Sequence, residues 1–347
     1  MPALLLCCGY ASGMFPNVAP SSWHPIQIAP DSHLGAPVGS RCMGVALPGN
    51  SLQTWSTATG VRPCMLMSFE QWYDSQLPGE KLAEDQAVGI HAEMFTWEPW
   101  KPKPYSSHIL VQGAIQKGIT DREIADGRWD GYITSWAQDV AKYPHITVYI
   151  RFAHEMNGTW YPWNHHPRAY IAMWKHVVGI FRKLDVKNAR FVWSASVGMG
   201  IPRSRWEPHM RTYWPGRKYV SVVGATVINF GGTGHTHSAR QFEPRLATMH
   251  RVFGKPVMLT EVDTQYKGRA GWIHDLANYV ATTRWIKAVV WSQLLSRGQH
   301  DMQTGNMGWQ VAGDSTQVLQ AFRRLAAAAA KPLPSTTGVT ATVGGGS

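Results

Sequence analysis

Eight short apolar runs, with amphipathic stretches between most of them, narrow what this chain can become more than any other feature. They are RCMGVAL (41–47), PCMLMSF (63–69), GIHAEMFTW (89–97), ITVYIRFA (146–153), ARFVWSAS (189–196), VSVVGATVINF (220–230), PVMLTEV (256–262) and IKAVVWSQ (286–293). Each has strand length, and several are apolar on successive residues, as in a strand covered on both faces. Helical periodicity falls between them at 122–142, 167–184, 238–253 and 270–282. Strands that alternate with helices build parallel βα units, and eight such units close into a barrel. The expected fold is therefore α/β, a (β/α)8 TIM barrel over residues 41–330. An N-terminal extension or arm (1–40) rich in Pro, Ser and Gly precedes it, and a flexible or tethering tail (331–347) follows.

Length and composition agree with a single large core. A barrel of this kind needs about 250 residues, and the chain has 347, of which 44% are hydrophobic and 16% charged. The net charge of +11 permits binding to polyanions. The Lys and Arg residues are scattered, however, so diffuse surface charge or docking on an acidic envelope is expected ahead of nucleic-acid binding. No run reaches the eighteen or so apolar residues of a membrane span. The opening MPALLLCCGYASG lacks a basic segment and makes a poor signal peptide. Four cysteines, Cys7, Cys8, Cys42 and Cys64, show no CxxC spacing; one bridge or buried free thiols both fit.

Candidate chemistry gathers where strands end, which in a barrel is the catalytic face. The fourth strand runs into HEMNGTWYPWNHH (154–166), with Glu155 at or just past its end and the Asn157-Gly158 turn stopping it. A zinc-protease HExxH reading fails, since its second histidine would stand at Gly158. The histidines at 165–166 and at 235 and 237 are expected to face solvent or sugar hydroxyls; no metal and no cofactor is expected. The seventh strand ends at Glu261. Strands four and seven lie opposite one another, so these glutamates can face each other across a bound chain, as in glycoside hydrolysis. Seventeen Trp, 12 Tyr and 10 Phe suggest stacking platforms in the loops, Trp160 and Trp163 among them.

FAHEMNGTWYPW (152–163) resembles the acid/base motif of glycoside hydrolase family 26, and KPVMLTEVD resembles that family's nucleophile strand. FEQWYDSQ, TWEPW, GRWDGYITSWAQDV, YWPGRKYVSVVG and AVVWSQ extend the likeness over roughly 41–295. The resemblance implies a retaining endo-β-glycosidase with Glu155 as acid/base and Glu261 as nucleophile. It places His154 beside the acid, Trp160 under the cleavage subsite and Trp291 as a strand-eight platform. From TWEPW, Trp97 and Glu98 become substrate-binding candidates, with Arg151 an alternative ionic partner for Glu98; Trp163 and Asn229 complete the set. One departure is Ile228, which stands ahead of Asn229 where many members carry a tyrosine that bonds the nucleophile. Either another donor orients Glu261, or the activity is altered.

The expected partner is a polysaccharide, namely a β-glucan, β-mannan or bacterial envelope glycan, met outside the cell. A competing expectation is a phage tail protein: a carbohydrate-binding barrel with reduced turnover, docked in the virion through its N- and C-terminal arms.

Overall fold

The computed structural model describes residues 41–47, 52–73, 77–101, 116–198, 201–229, 238–264, 268–292, 311–312 and 314–330. The chain divides into two units, Met1–Ser32 and His33–Ser347, and every described residue belongs to the second. The expected arm and tail, Cys7, Cys8, and the histidines at 235 and 237 lie outside the described residues.

All eight expected strands form, as β1 (Cys42–Ala46), β2 (Met65–Gln71), β3 (Ala92–Glu98), β4 (Thr147–Phe152), β5 (Ala189–Ser196), β6 (Val222–Asn229), β7 (Val257–Thr264) and β8 (Ile286–Ser292). Each pairs in parallel with its neighbours, and β1 pairs with β8 to close the barrel. Helices α1 (Leu52–Thr59), α2 (Gly79–Ala87), α3 (Asp121–Ala125), α4 (Asp130–Ala141), α5 (Pro167–Lys183), α6 (Arg203–Thr212), α7 (Glu243–Phe253), α8 (Arg269–Thr282) and α9 (Thr316–Ala330) surround it. The helix expected over 122–142 is split in two. Thr120 and Glu123 cap α3 reciprocally, and Gly127, at φ +91°, turns the chain before α4 in a conformation that disfavours any side chain with a Cβ.

Strand alternation sorts the side chains into two layers. Inside the barrel most residues are modest in size, Ala46, Met67, Met94, Val192, Val222 and Val290 among them, with Tyr149 the large exception. Outside, between strands and helices, lie the large rings. Trp97 stacks on Trp136 with centroids 4.6 Å apart and packs against Trp72 at 4.7 Å. The heavy aromatic load is thus spent mostly on the outer core: Trp55, Trp97, Trp136, Trp174, Trp193, Trp206, Trp272 and Trp291 are all fully buried. A Cys42–Cys64 disulfide ties β1 to the residue before β2.

One irregularity positions the site. Ala225 on β6 pairs with Leu259 on β7, yet the next residue, Thr226, pairs with Glu261. Thr260 is therefore an extra residue, a β-bulge, and such bulges re-aim neighbouring side chains. Met258 points into the barrel and Leu259 out of it. The bulge lets Thr260 reach Ser194 (Oγ1 to Oγ, 2.8 Å) and still leaves Glu261 facing inward, opposite Thr226. Room for this exists because residue 224 is glycine: a Cβ there would lie 2.8 Å from both Ser194 Cβ and Thr260 Cγ2.

Candidate active site

At the end of β4 the backbone leaves the strand through two residues in the left-handed region, Ala153 (φ +41°) and Glu155 (φ +53°). Such conformations cost about 1–3 kcal/mol each and persist only where the surroundings hold them. Here the Glu155 N–H donates to the Ser194 carbonyl (2.7 Å), and the Glu155 carbonyl accepts from Gly158 N–H (2.9 Å) and Asn164 Nδ2 (3.1 Å). Asn157 adds a two-way clasp to Ser196, donating to its carbonyl (2.8 Å) and accepting from its N–H (2.9 Å).

The turn after Glu155 folds Trp160 back over Gly158, and the indole Nε1–H donates to Glu155 Oε2 at 2.8 Å. Only glycine fits beneath it, because a Cβ at residue 158 would stand 2.5 Å from the ring. Burial, and behind it the negative charge of Glu261, pushes the Glu155 carboxyl up to about 7, against the opposing pull of Arg151, Thr226 and Trp160.

Glu261 is held by Arg151, whose Nη2 lies 3.0 Å from Glu261 Oε2. The guanidinium is fully buried and spends its other donors on three strands: Nε on Ser194 (3.1 Å), Nη1 on Thr96 (3.2 Å) and Nη2 on Thr226 (2.7 Å). Ile228 faces the barrel mouth opposite Asp263 and offers no hydrogen bond. Arg151 is thus the donor that orients Glu261 in place of a strand-six tyrosine.

Glu98 ends β3 on the inward face. It accepts from Gln71 Nε2 (3.1 Å) and Trp100 Nε1 (3.2 Å), and burial pushes it up to about 7. The charge of Arg151 opposes that rise, but its ion pair is made with Glu261. His154 Nδ1 lies 3.9 Å from Glu98, while Nε2 pairs with the Tyr161 hydroxyl at 2.9 Å. Burial, then the charge of Arg151, hold the His154 imidazole well below its ordinary range, so it is neutral at pH 7. Asp263, also inward, is buried and raised well above the carboxylate range by desolvation.

The structure brings Glu155, Glu261, His154, Glu98 and Trp160 together. It corrects the expectation for Trp97 and Trp291 as sugar platforms. Both alternate with inward residues, Glu98 and Ser292, so their rings point out into the packed layer and are fully buried. Trp163 is also fully buried; it stacks on Tyr161 at 4.4 Å and donates to the His154 carbonyl at 2.7 Å, which makes it a brace for the loop rather than a sugar surface. Asn229 is fully buried, in the outward register of Val227. Arg151, expected only as an alternative partner of Glu98, and Thr96, Ser194, Thr226 and Gln71 were not foreseen in these roles. The signal for the first was present: an arginine in the inward phase of ITVYIRFA needs a buried anion. Among the described residues, no three His, Cys, Asp or Glu side chains converge as a metal site, and no helix is long and apolar enough to cross a membrane.

A parallel (β/α)8 barrel that brings two buried glutamates, from β4 and β7, to its mouth has the layout of a glycoside hydrolase. Residues 126–249 match glycosyl hydrolase family 26. Over 215 residues the chain is 28% identical to endoglucanase H of Acetivibrio thermocellus, covering 57% of this chain and 21% of that protein. Over 129 residues it is 28% identical to mannan endo-1,4-beta-mannosidase A and B of Caldalkalibacillus mannanilyticus, covering 33% and 23%. The matches thus span less than a quarter of these relatives' length. Its fold is similar to the catalytic domain of a Bacillus sp. JAMB-750 family 26 endo-beta-1,4-mannanase (TM-score 0.57, 15% identity, 82% of this chain and 85% of that one). It is likewise similar to a family 26 beta-mannanase from Bacteroides ovatus (0.56, 16%, 82% and 88%). Over residues 126–249, about a third of its length, the chain is thus similar to glycosyl hydrolase family 26.

Proposed function

We propose that this chain is a retaining endo-β-glycosidase that cleaves a polysaccharide by double displacement, with Glu155 as acid/base and Glu261 as nucleophile. The observation that carries the reading is the contrast between the two carboxyls: Glu155 is pushed up to about 7 by burial and by Glu261, while Glu261 takes a buried guanidinium at 3.0 Å. Two carboxyls whose surroundings differ in this way divide into an acid and a nucleophile. In the first step protonated Glu155 gives its proton to the glycosidic oxygen as that bond to the anomeric carbon breaks, and a Glu261 oxygen bonds to the same carbon. In the second, ionised Glu155 takes a proton from water, the water oxygen bonds to the anomeric carbon, and Glu261 leaves as carboxylate. Arg151 keeps the attacking oxygen on line in the first step and receives its charge back in the second.

The names of the relatives, an endoglucanase and mannanases, make a β-glucan or β-mannan the first substrates to test; a bacterial envelope glycan is the third. Action outside the cell, as an exported enzyme or on a virion, is part of the proposal. The Cys42–Cys64 bridge supports it, since disulfides persist in such oxidising settings.

Proton NMR of the first-formed reducing end tests the mechanism. Retained β-configuration, lost in both Glu155→Ala and Glu261→Ala, is expected from a panel of β-mannan, mixed-linkage β-glucan, β-xylan and cell-wall polysaccharide. An inverted product refutes double displacement. Binding without turnover, equal in all three proteins, leaves the barrel as a recognition device.

A further inference from the structure

A second cavity, of about 770 Å³, opens between α6 and α7 on the outside of the barrel, with Trp206, Arg211, Arg245 and Arg251 in its lining. Its charge is unbalanced. Three guanidiniums and one carboxylate line it, and that carboxylate, Glu207, accepts from Arg211 at Oε1 (2.8 and 3.2 Å) and from Arg251 at Oε2 (3.1 Å). These bonds hold Glu207 below the ordinary carboxylate range, the Arg211 bond first, so it stays an anion. Glu207 thereby links the two helices, holding the Arg211 guanidinium by two bonds and that of Arg251 by one. A guanidinium has five N–H donors in a fixed fork. Arg211 spends two of them and Arg251 one on described residues, and both side chains are more than half exposed.

The groove is built as well as charged. Fully buried Trp206 lies at its floor, and Pro208 and Pro244 stand among its walls. Arg245 is anchored by donating to the Ile201 carbonyl at 2.8 Å. From Ser204 to Arg211 along α6, and from Pro244 to Arg251 along α7, the lining descends seven residues, about 10 Å at 1.5 Å per residue. That is longer than a lone inorganic anion, and the volume lies in the range of ordinary ligand sites. Helices of a (β/α)8 barrel begin at its catalytic end, so Ser204 and Pro244 put the upper end of the groove at the rim that carries the active site.

We propose that this groove binds a segment of acidic polysaccharide, one bearing carboxylate or phosphate groups, through the oriented forks of Arg211 and Arg251 with Arg245 above them. Planar guanidiniums suit such anions because each can engage two oxygens at once. The site would hold the protein on an anionic glycan surface independently of which bond, if any, the barrel cleaves. The proposal does not rest on the glycosidase reading.

Binding of a fluorescent oligogalacturonide, compared with a neutral oligosaccharide of equal length, tests it by anisotropy at low and moderate salt. Arg211→Ala combined with Arg251→Ala should raise the Kd about tenfold or more, while inorganic phosphate competes. The corresponding lysine pair keeps the charge, loses the fork and should fall between. Lys142→Ala with Lys187→Ala removes the same charge at exposed positions elsewhere and should change the Kd less than twofold. Circular dichroism verifies that each variant is folded. Equal weakening by the two double-alanine proteins would reduce the effect to net charge and overturn the proposal. So would no preference for the acidic probe.

Discussion

Replacing Gly158 by alanine should change the pH dependence of the proposed reaction without touching either carboxylate. The added Cβ would lie 2.5 Å from Cζ2 and Cη2 of Trp160, whereas non-bonded carbons settle near 3.5 Å, so the indole must retreat by about 1 Å. Its Nε1 then leaves Glu155 Oε2, now 2.8 Å away, beyond the range of a hydrogen bond. Such a bond is worth about 1.5–3 kcal/mol to an ionised acceptor and about 0.5–1.5 to a neutral one. Its loss therefore costs the ionised form about 1–1.5 kcal/mol more, or close to one pH unit. Glu155 must be protonated to act as acid, so activity falls as pH rises through its value of about 7. With the donor gone, the falling limb of kcat/KM should move up to about 8. Trp160→Phe should produce the same shift, and the double variant should shift no further, since both changes delete one bond. Crowding in the turn should also cost about 1–3 kcal/mol of stability. If the basic limb stays within about 0.2 units of wild type in both folded single variants, Trp160 does not tune the acid, and the account of Gly158 fails with it.

Arg151→Met should lower kcat by about two orders of magnitude or more, and its falling limb should also move up, because Arg151 opposes the rise of Glu155; loss of the buried charge's partner should destabilise by about 3–5 kcal/mol, read by chemical denaturation. Glu98→Gln should stabilise the protein at pH 8. Glu98 holds its proton up to about 7 when folded, so its contribution is fully present below the unfolded value near 4.5 and is lost as pH rises toward 7, a penalty that glutamine does not share. Thermal midpoints of the two proteins should converge below pH 5, and a constant gap would refute this. Gly224→Ala should depress activity more than its distance from substrate suggests, since its Cβ would push the Thr260 bulge that sets Glu261; unchanged kcat in a folded variant would count against the bulge as the positioning device.

The barrel was legible because closure of eight parallel strands leaves each one covered on both faces, and runs such as AVVW (288–291) or PVML (256–259) are then apolar on successive residues. The two glutamates were legible because each follows such a run. The aromatic residues were misread for a related reason. Residue type does not say which face of a strand a side chain takes, and one step of alternation separates Glu98, which is in the site, from Trp97, which is in the core. The bulge at Thr260 was invisible to periodicity, since a single inserted residue in MLTEVD breaks no pattern that six residues can display. Yet it decides the phase of Glu261. The helix expected over 122–142 broke at a glycine whose positive φ the amphipathic pattern spans without a gap.

Arg151 ties these strands of evidence into one physical statement. A guanidinium with no exposed surface is tolerable only if the chain supplies an anion and acceptors for its remaining donors. β3, β5 and β6 supply Thr96, Ser194 and Thr226, and the bulge in β7 supplies Glu261. The same bulge brings Thr260 to Ser194, and only glycine at 224 leaves space for that approach. Two small residues, Gly224 and Gly158, therefore do for the two carboxyls what no charged group could. One clears the space in which Glu261 meets its arginine, and the other clears the space in which Glu155 meets its indole. Burial and the charge of Glu261 raise Glu155, and the indole and the guanidinium oppose that rise, so a single methyl group at either glycine should disturb the balance by displacing one of those partners.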